Sequence, residues 1–164
     1  MTSDDTYDSL LSGDMSQWLD ALPEYQRQSI AALLEDHDAI DVITVWLENS
    51  GPSDTAPFGG TRAGAKLFYK SILVELQKAL CGGVEYVAER KALSEATGGG
   101  GKLLVVGLLT TAIAPHVGAA AAVIGPAVAL TLGIVANAGK VTACDVLKEM
   151  IDERDAASLA DSVE

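Results

Sequence analysis

Apolar residues recur every three or four positions along most of this chain, which is the spacing that places them on one face of a helix. Five segments follow this pattern: residues 23–38, 39–49, 61–81, 84–97 and 140–155. No stretch alternates apolar and polar residues over enough positions to predict a strand, although residues 102–109, KLLVVGLL, suit a buried strand by composition. The pattern therefore predicts an all-α, single-domain helical bundle.

Residues suited to helix ends divide the chain further. Asp14 or Ser16 is suited to cap a first short helix, Asp38 to cap a later one, and Pro23 to occupy the first position of the helix between them. The predicted order is a disordered acidic tail (1–13), an acidic helical segment (14–49), a linker (50–60), basic amphipathic helices (61–97), a glycine hinge (98–101), a hydrophobic hairpin with the C-terminal helix (102–155) and a frayed tail (156–164).

The most unusual feature is an uncharged run of 37 residues from Leu103 to Gly139. Its Ala- and Gly-rich composition predicts a helical hairpin around which the bundle is built. Pro115 and the pair Gly125-Pro126 would cut the run into pieces of about 12, 10 and 13 residues if each ended a helix. The residues that we expect to define the hairpin are Leu104, Leu108, Pro115, His116, Gly118, Gly125, Pro126, Ala129, Leu132 and Gly133.

Two environments suit this run. A bilayer core needs about 20 apolar residues per helix, so the run approaches two spans, and Lys102 and Lys140 would place both ends on the cytoplasmic side. Small residues four apart, Gly118 with Ala122 and Ala129 with Gly133, would let two such helices approach closely. The first hypothesis is thus a protein whose hairpin engages a membrane, permanently or on activation. The alternative is a soluble interaction or adaptor protein that buries the hairpin in its core or in a homo-oligomer interface.

Charge limits the partners. The chain has a net charge of −12, and residues 1–55 carry twelve acidic side chains against one basic one, a net of −11. Such a segment repels phosphate backbones, so we expect no nucleic-acid partner. Residues 56–102 carry a net of +3 and are suited to contact the acidic segment. A membrane, a protein partner and a second copy of the chain all remain open.

No candidate catalytic or cofactor site emerges. GGTRAGAKLF, residues 59–68, has the wrong spacing for a phosphate-binding loop. His37 lies among four carboxylates. Helix capping and solvated surface charge explain these carboxylates better than a metal site does. His116, the one titratable side chain in the uncharged run, reads as a turn histidine, with a proton-sensing gate as the functional alternative. We expect no enzymatic role, no cofactor and no small-molecule substrate.

The cysteine content and the first residues of the chain predict the cellular compartment. Cys81 and Cys144 are the two cysteines, 63 residues apart, and we expect both to be buried free thiols. The first 14 residues, MTSDDTYDSLLSGD, are acidic and lack the basic and apolar regions of a secretory signal. These features predict a cytoplasmic protein, with membrane association left open.

Overall fold

The structure is a computed structural model that describes residues 14–50, 62–82, 84–95, 101–137 and 143–163. Every regular element within these ranges is helical, which confirms the all-α prediction, and residues 102–109 belong to a helix. The α-helices in chain order are α1 (Met15–Leu19), α2 (Glu24–Leu34), α3 (Ala39–Ser50), α4 (Arg62–Cys81), α5 (Val87–Glu95), α6 (Gly101–Val117), α7 (Ala121–Ala136) and α8 (Ala143–Val163). A 3-10 turn, Val84–Tyr86, precedes α5.

Three predicted segments fall wholly or mostly outside the described residues. These are the tail 1–13, the linker 50–60 and the glycine hinge 98–101. Within the described ranges, α3 extends through Ser50 and Gly101 is the first residue of α6. Residues 156–163, predicted as part of a frayed tail, continue α8 as a helix.

Asp14 caps α1 with a reciprocal pair of hydrogen bonds. Its carboxylate accepts from the backbone N–H of Gln17 at 3.0 Å, and the Gln17 side chain accepts from the backbone N–H of Asp14 at 3.0 Å. The Ser16 hydroxyl donates to the same carboxylate at 2.8 Å. The hydroxyl first, and then the Gln17 N–H, lower the pKa of Asp14 below its ordinary value. The local sequence thus fixes where α1 begins.

The next two helices begin close to the predicted positions. The Asp38 carboxylate accepts from the backbone N–H of Asp41 at 2.8 Å, as expected for a cap. Pro23 lies just before the first residue of α2, one position earlier than predicted. Its carbonyl accepts from the backbone N–H of Arg27 at 2.9 Å, so it still forms part of the first turn.

Helix α7 lies at the centre of the bundle, in contact with α1, α2, α3, α4, α6 and α8. Its residues are buried without interruption from Ile124 to Gly133, and Val135 is buried as well. A helix that is apolar on every side is typical of one enclosed by other helices. The most apolar stretch of the chain therefore forms the interior of the bundle.

Helices α4 and α8 pack side by side and run antiparallel. Cys81 at the end of α4 is bonded to Cys144 near the start of α8, while Arg154, farther along α8, acts electrostatically on Tyr69 near the start of α4. The buried face of α4 includes the predicted Phe68, Ile72 and Leu76. That of α8 comprises Val146, Leu147 and Met150.

The disulfide corrects the prediction of two buried free thiols. Cys81 and Cys144 form a bond with their Cα atoms 5.8 Å apart, and the Cys81 side chain is exposed. The prediction was wrong because the separation of 63 residues in sequence says nothing about the antiparallel packing of α4 and α8. One argument for a reducing compartment is thereby removed.

Candidate functional site

The uncharged run folds as α6 and α7, joined by a three-residue turn and packed against each other. The helices have 17 and 16 residues, about 25 Å each at 1.5 Å per residue. The break lies at Gly118, whose φ of +75° suits a residue without a side chain. Pro115 and Pro126 both lie inside helices, so neither divides the run.

The predicted hairpin residues separate into two groups. The members on α7 are buried: Gly125, Pro126, Ala129, Leu132 and Gly133. The members on α6 and the turn are exposed or half-buried: Leu104, Leu108, Pro115, His116 and Gly118. No helix approaches closely at Gly118 and Ala122, because both residues are exposed at the turn and a Cβ atom on Gly118 has no neighbour within 4 Å.

A proline is tolerated within α7 because a side chain from another helix replaces the missing donor. Pro126 has no N–H, so the carbonyl of Ala122, four residues earlier, lacks its usual helical partner. The side-chain nitrogen of Gln26, on α2, donates to this carbonyl at 2.9 Å. Gln26 is almost fully buried, so the hydrogen bond also satisfies its own polar group.

Two further side chains attach α7 to its neighbours. The indole N–H of Trp46, on α3, donates to the carbonyl of Val123 at 2.7 Å. The hydroxyls of Tyr69, on α4, and Thr131 lie 2.8 Å apart, and the Thr131 hydroxyl also bonds to the carbonyl of Ala127 at 2.7 Å. Thr131 gives its one proton to that carbonyl, so Tyr69 donates to Thr131. Helices α2, α3 and α4 thus each donate one side-chain hydrogen bond to α7.

Of the predicted pair Ala129 and Gly133, Gly133 lies close to a neighbouring helix, and that helix is α1. A Cβ atom at Gly133 would lie 2.5 Å from Sδ and 3.6 Å from Cα of Met15. The Met15 side chain of α1 therefore occupies the space that a side chain at position 133 would need. Gly125 differs, because a Cβ there would meet its nearest neighbours, on Gln26 and Leu22, at 3.9 and 4.0 Å.

Helix α6 leaves one side uncovered. Leu103 is 66% exposed and Leu104 is 41% exposed, and Gly107, Thr111 and Pro115 continue the exposed side at helical spacing. We call these five residues the outer face of α6. They carry no charge, and a Cβ atom built on Gly107 has no neighbour within 4 Å.

His116 lies in the last turn of α6, beside an open cavity of about 440 Å³. Its ring is 5.2 Å from that of Tyr86, whose hydroxyl donates to Glu75 at 2.6 Å. Lys78 pairs with the other oxygen of Glu75 at 3.3 Å. The carboxylate that lines the cavity is thus already bonded within the protein, and the proton-sensing role remains a hypothesis.

Gln26, Trp46 and Tyr69 were not predicted to attach the hairpin to the rest of the bundle. A signal for the first existed, because a proline within a helix leaves a carbonyl that some donor must satisfy. Within the described residues, no group of three or more His, Cys, Asp or Glu side chains has the arrangement of a metal site. His37 is exposed, as expected for a residue in a solvated acidic segment.

Comparison of the chain with family models, curated proteins and solved structures gave no match. Among the helices that the structure describes, none combines the length and the hydrophobicity needed to cross a bilayer.

Proposed function

We propose that this chain is a non-enzymatic helical interaction protein that associates with a second copy of itself through the outer face of α6. The observation that carries the proposal is the exposure of Leu103 and Leu104 on a helix side without charged residues. Uncharged, apolar surface at this level of exposure is typical of interaction sites. This is the alternative hypothesis from the sequence, a soluble interaction protein that buries the hairpin in its core or in a homo-oligomer interface.

Charge supports a second copy as the partner. The chain carries a net charge of −12, so two copies repel each other over most of their surfaces. Residues 103–117 contain no Asp, Glu, Lys or Arg. The outer face of α6 is thus a surface on which two copies can meet without placing like charges in contact.

The shape of the outer face suits a symmetric contact. Gly107 lies midway between Leu103 and Thr111, and the space beyond it is open. In a two-fold arrangement, Leu103 and Leu104 of one copy would pack beside Gly107 and Thr111 of the other. A glycine at the crossing point permits a close approach of the two helices.

The burial of α7 argues against the membrane hypothesis. Insertion of the whole hairpin would break the bonds from Gln26, Trp46 and Tyr69 and expose the apolar faces of the surrounding helices. Association through α6 leaves all of these contacts intact. Membrane binding is therefore treated as a competing outcome of the experiments below.

Sedimentation equilibrium of the full chain over a wide range of concentrations tests the proposal. We expect a monomer–dimer equilibrium that Leu103→Glu shifts towards the monomer, because each dimer would then bury two carboxylates. Leu67→Glu is the matched control, since Leu67 is 51% exposed on α4 and lies outside the outer face. Circular dichroism confirms that both variants fold.

Co-sedimentation with phosphatidylcholine vesicles separates the two hypotheses. A chain that dimerises and stays in the supernatant supports the proposal. A chain that stays monomeric at every concentration contradicts it. If the chain pellets with vesicles and Leu103→Glu abolishes this, the outer face of α6 binds a membrane instead of a second copy, which also contradicts the proposal.

A further inference from the structure

The Cys81–Cys144 disulfide joins two elements at the edge of the bundle. Cys81 is the last residue of α4, and Cys144 is the second residue of α8. The bond closes a loop over residues 82–143, which contains α5 and the whole uncharged hairpin. It therefore links α4, which precedes α5 and the hairpin, to α8, which follows the hairpin.

The disulfide is accessible from solvent. Cys81 is exposed and Cys144 is half-buried, in contrast to the fully buried side chains of Leu76 and Leu147 close by in sequence. An exposed disulfide is open to attack by a thiolate, whereas a buried one is protected. A reductant in solution can thus reach this bond while the protein is folded.

Helix α8 is also a helix that can separate without breaking the hydrogen bonds described above between α7 and its neighbours. The hydrogen bonds that attach α7 to its neighbours come from Gln26, Trp46 and Tyr69, none of which is on α8. The close contact at Gly133 is made by α1. The main packing partner of α8 is α4, through the buried Val146, Leu147 and Met150.

From this arrangement we infer that Cys81–Cys144 is a redox-sensitive clamp, which keeps α8 docked on α4 when oxidised and lets α8 open when reduced. The reductant is a dithiol. One of its thiolates attacks a sulfur of the pair, and the S–S bond breaks. Its second thiol then resolves the mixed disulfide. Two electrons and two protons pass to the cysteines, which become thiols, and the dithiol becomes a cyclic disulfide.

Opening of α8 would uncover the apolar face of α4 that it covers in the oxidised state, while α1–α4, α6 and α7 stay packed. The inference is independent of self-association through α6, because the outer face of α6 and the disulfide lie on different helices. Reduction is therefore expected to change α8 and to leave any dimer through Leu103 unaffected.

Hydrogen exchange by mass spectrometry on the full chain tests the clamp, with and without dithiothreitol. We expect reduction to speed exchange in α8 by a larger factor than in α7, whose amides respond only to the loss of global stability. The melting temperature should fall by about 10 °C, from the lost constraint on a loop of this length. The double variant Cys81→Ser/Cys144→Ser should match the reduced protein and show no response to dithiothreitol.

Three results would overturn the inference. The first is a pair of thiols that react with Ellman's reagent in air-oxidised protein, because the bond would then be absent. The second is exchange in α8 that reduction leaves unchanged. The third is equal acceleration in α7 and α8, which would make the disulfide a staple of the whole fold.

Discussion

The side chain of Gln26 donates a hydrogen bond of 2.9 Å to the backbone carbonyl of Ala122, although the two residues are 96 positions apart in the chain. The carbonyl is free to accept because Pro126 has no N–H to offer. A polar residue on α2 thus compensates for a proline in the central helix. This relationship explains why Pro126 does not divide α7.

Replacing Gln26 by leucine should destabilise the protein by about 1–3 kcal/mol, because the Ala122 carbonyl would lose its donor inside the bundle. Gln28→Leu on the same helix is the control, since Gln28 is exposed and its side chain reaches only Glu24. Urea unfolding followed by circular dichroism measures both.

The same substitution made in a Pro126→Ala variant tests the hydrogen bond more directly. Alanine restores the backbone N–H at position 126, so the Ala122 carbonyl regains a helical partner. We expect Gln26→Leu to cost less in that background than in the natural sequence. Equal costs in both backgrounds would mean that Gln26 stabilises the protein by packing alone and that its bond to Ala122 is incidental.

Two buried glycines of α7 should respond differently to the same substitution. Gly133→Ala places a Cβ atom 2.5 Å from Sδ of Met15, so the end of that side chain must move, and Gly133→Leu should cost about 1–3 kcal/mol or more through overpacking. Gly125→Ala meets no atom closer than 3.9 Å and gains helix propensity, up to about 1 kcal/mol. Thermal melts should therefore shift downwards for Gly133→Leu and upwards for Gly125→Ala, with Gly133→Ala between them. If Gly133→Leu melts no lower than the natural chain, α1 does not approach α7 as described.

Alkaline titration tests the burial of Tyr69. Burial raises the pKa of this hydroxyl well above its ordinary value of 10.0. The folded protein therefore keeps Tyr69 neutral at a pH where the unfolded chain ionises it. Its contribution to stability is complete below pH 10 and decreases as the pH rises towards the folded pKa.

The measurement for Tyr69 is the absorbance of tyrosinate as a function of pH, compared between the natural chain and Tyr69→Phe. In the natural chain we expect one tyrosine to ionise only as the protein unfolds. We expect this ionisation to be absent from Tyr69→Phe. A lost tyrosine that ionises near pH 10 in the folded state would show that the hydroxyl is solvated.

The sequence predicted the features that neighbouring residues determine. Asp14 and Asp38 cap helices because their carboxylates reach backbone N–H groups three positions ahead. The buried face of α4 was evident from the spacing of Phe68, Ile72 and Leu76. Each of these features depends on residues within a few turns of one another.

The features that the sequence did not predict depend on residues far apart in the chain. From Leu103 onwards neither α6 nor α7 carries an acidic or basic side chain of Asp, Glu, Lys or Arg, so no period indicated that α7 is enclosed while Leu103 on α6 is exposed. The donors to α7 and the partner of Cys81 come from other helices. Spacing along one helix carries no information about either.

Native-state hydrogen exchange of α7 tests most directly whether the hairpin forms the core of this bundle. We expect the amides from Ile124 to Gly133 to be among the slowest in the protein, to open only with global unfolding and to be unaffected by phosphatidylcholine vesicles. Exchange in α7 that is as fast as at the exposed ends of the helices, or that changes when vesicles are added, would contradict the account.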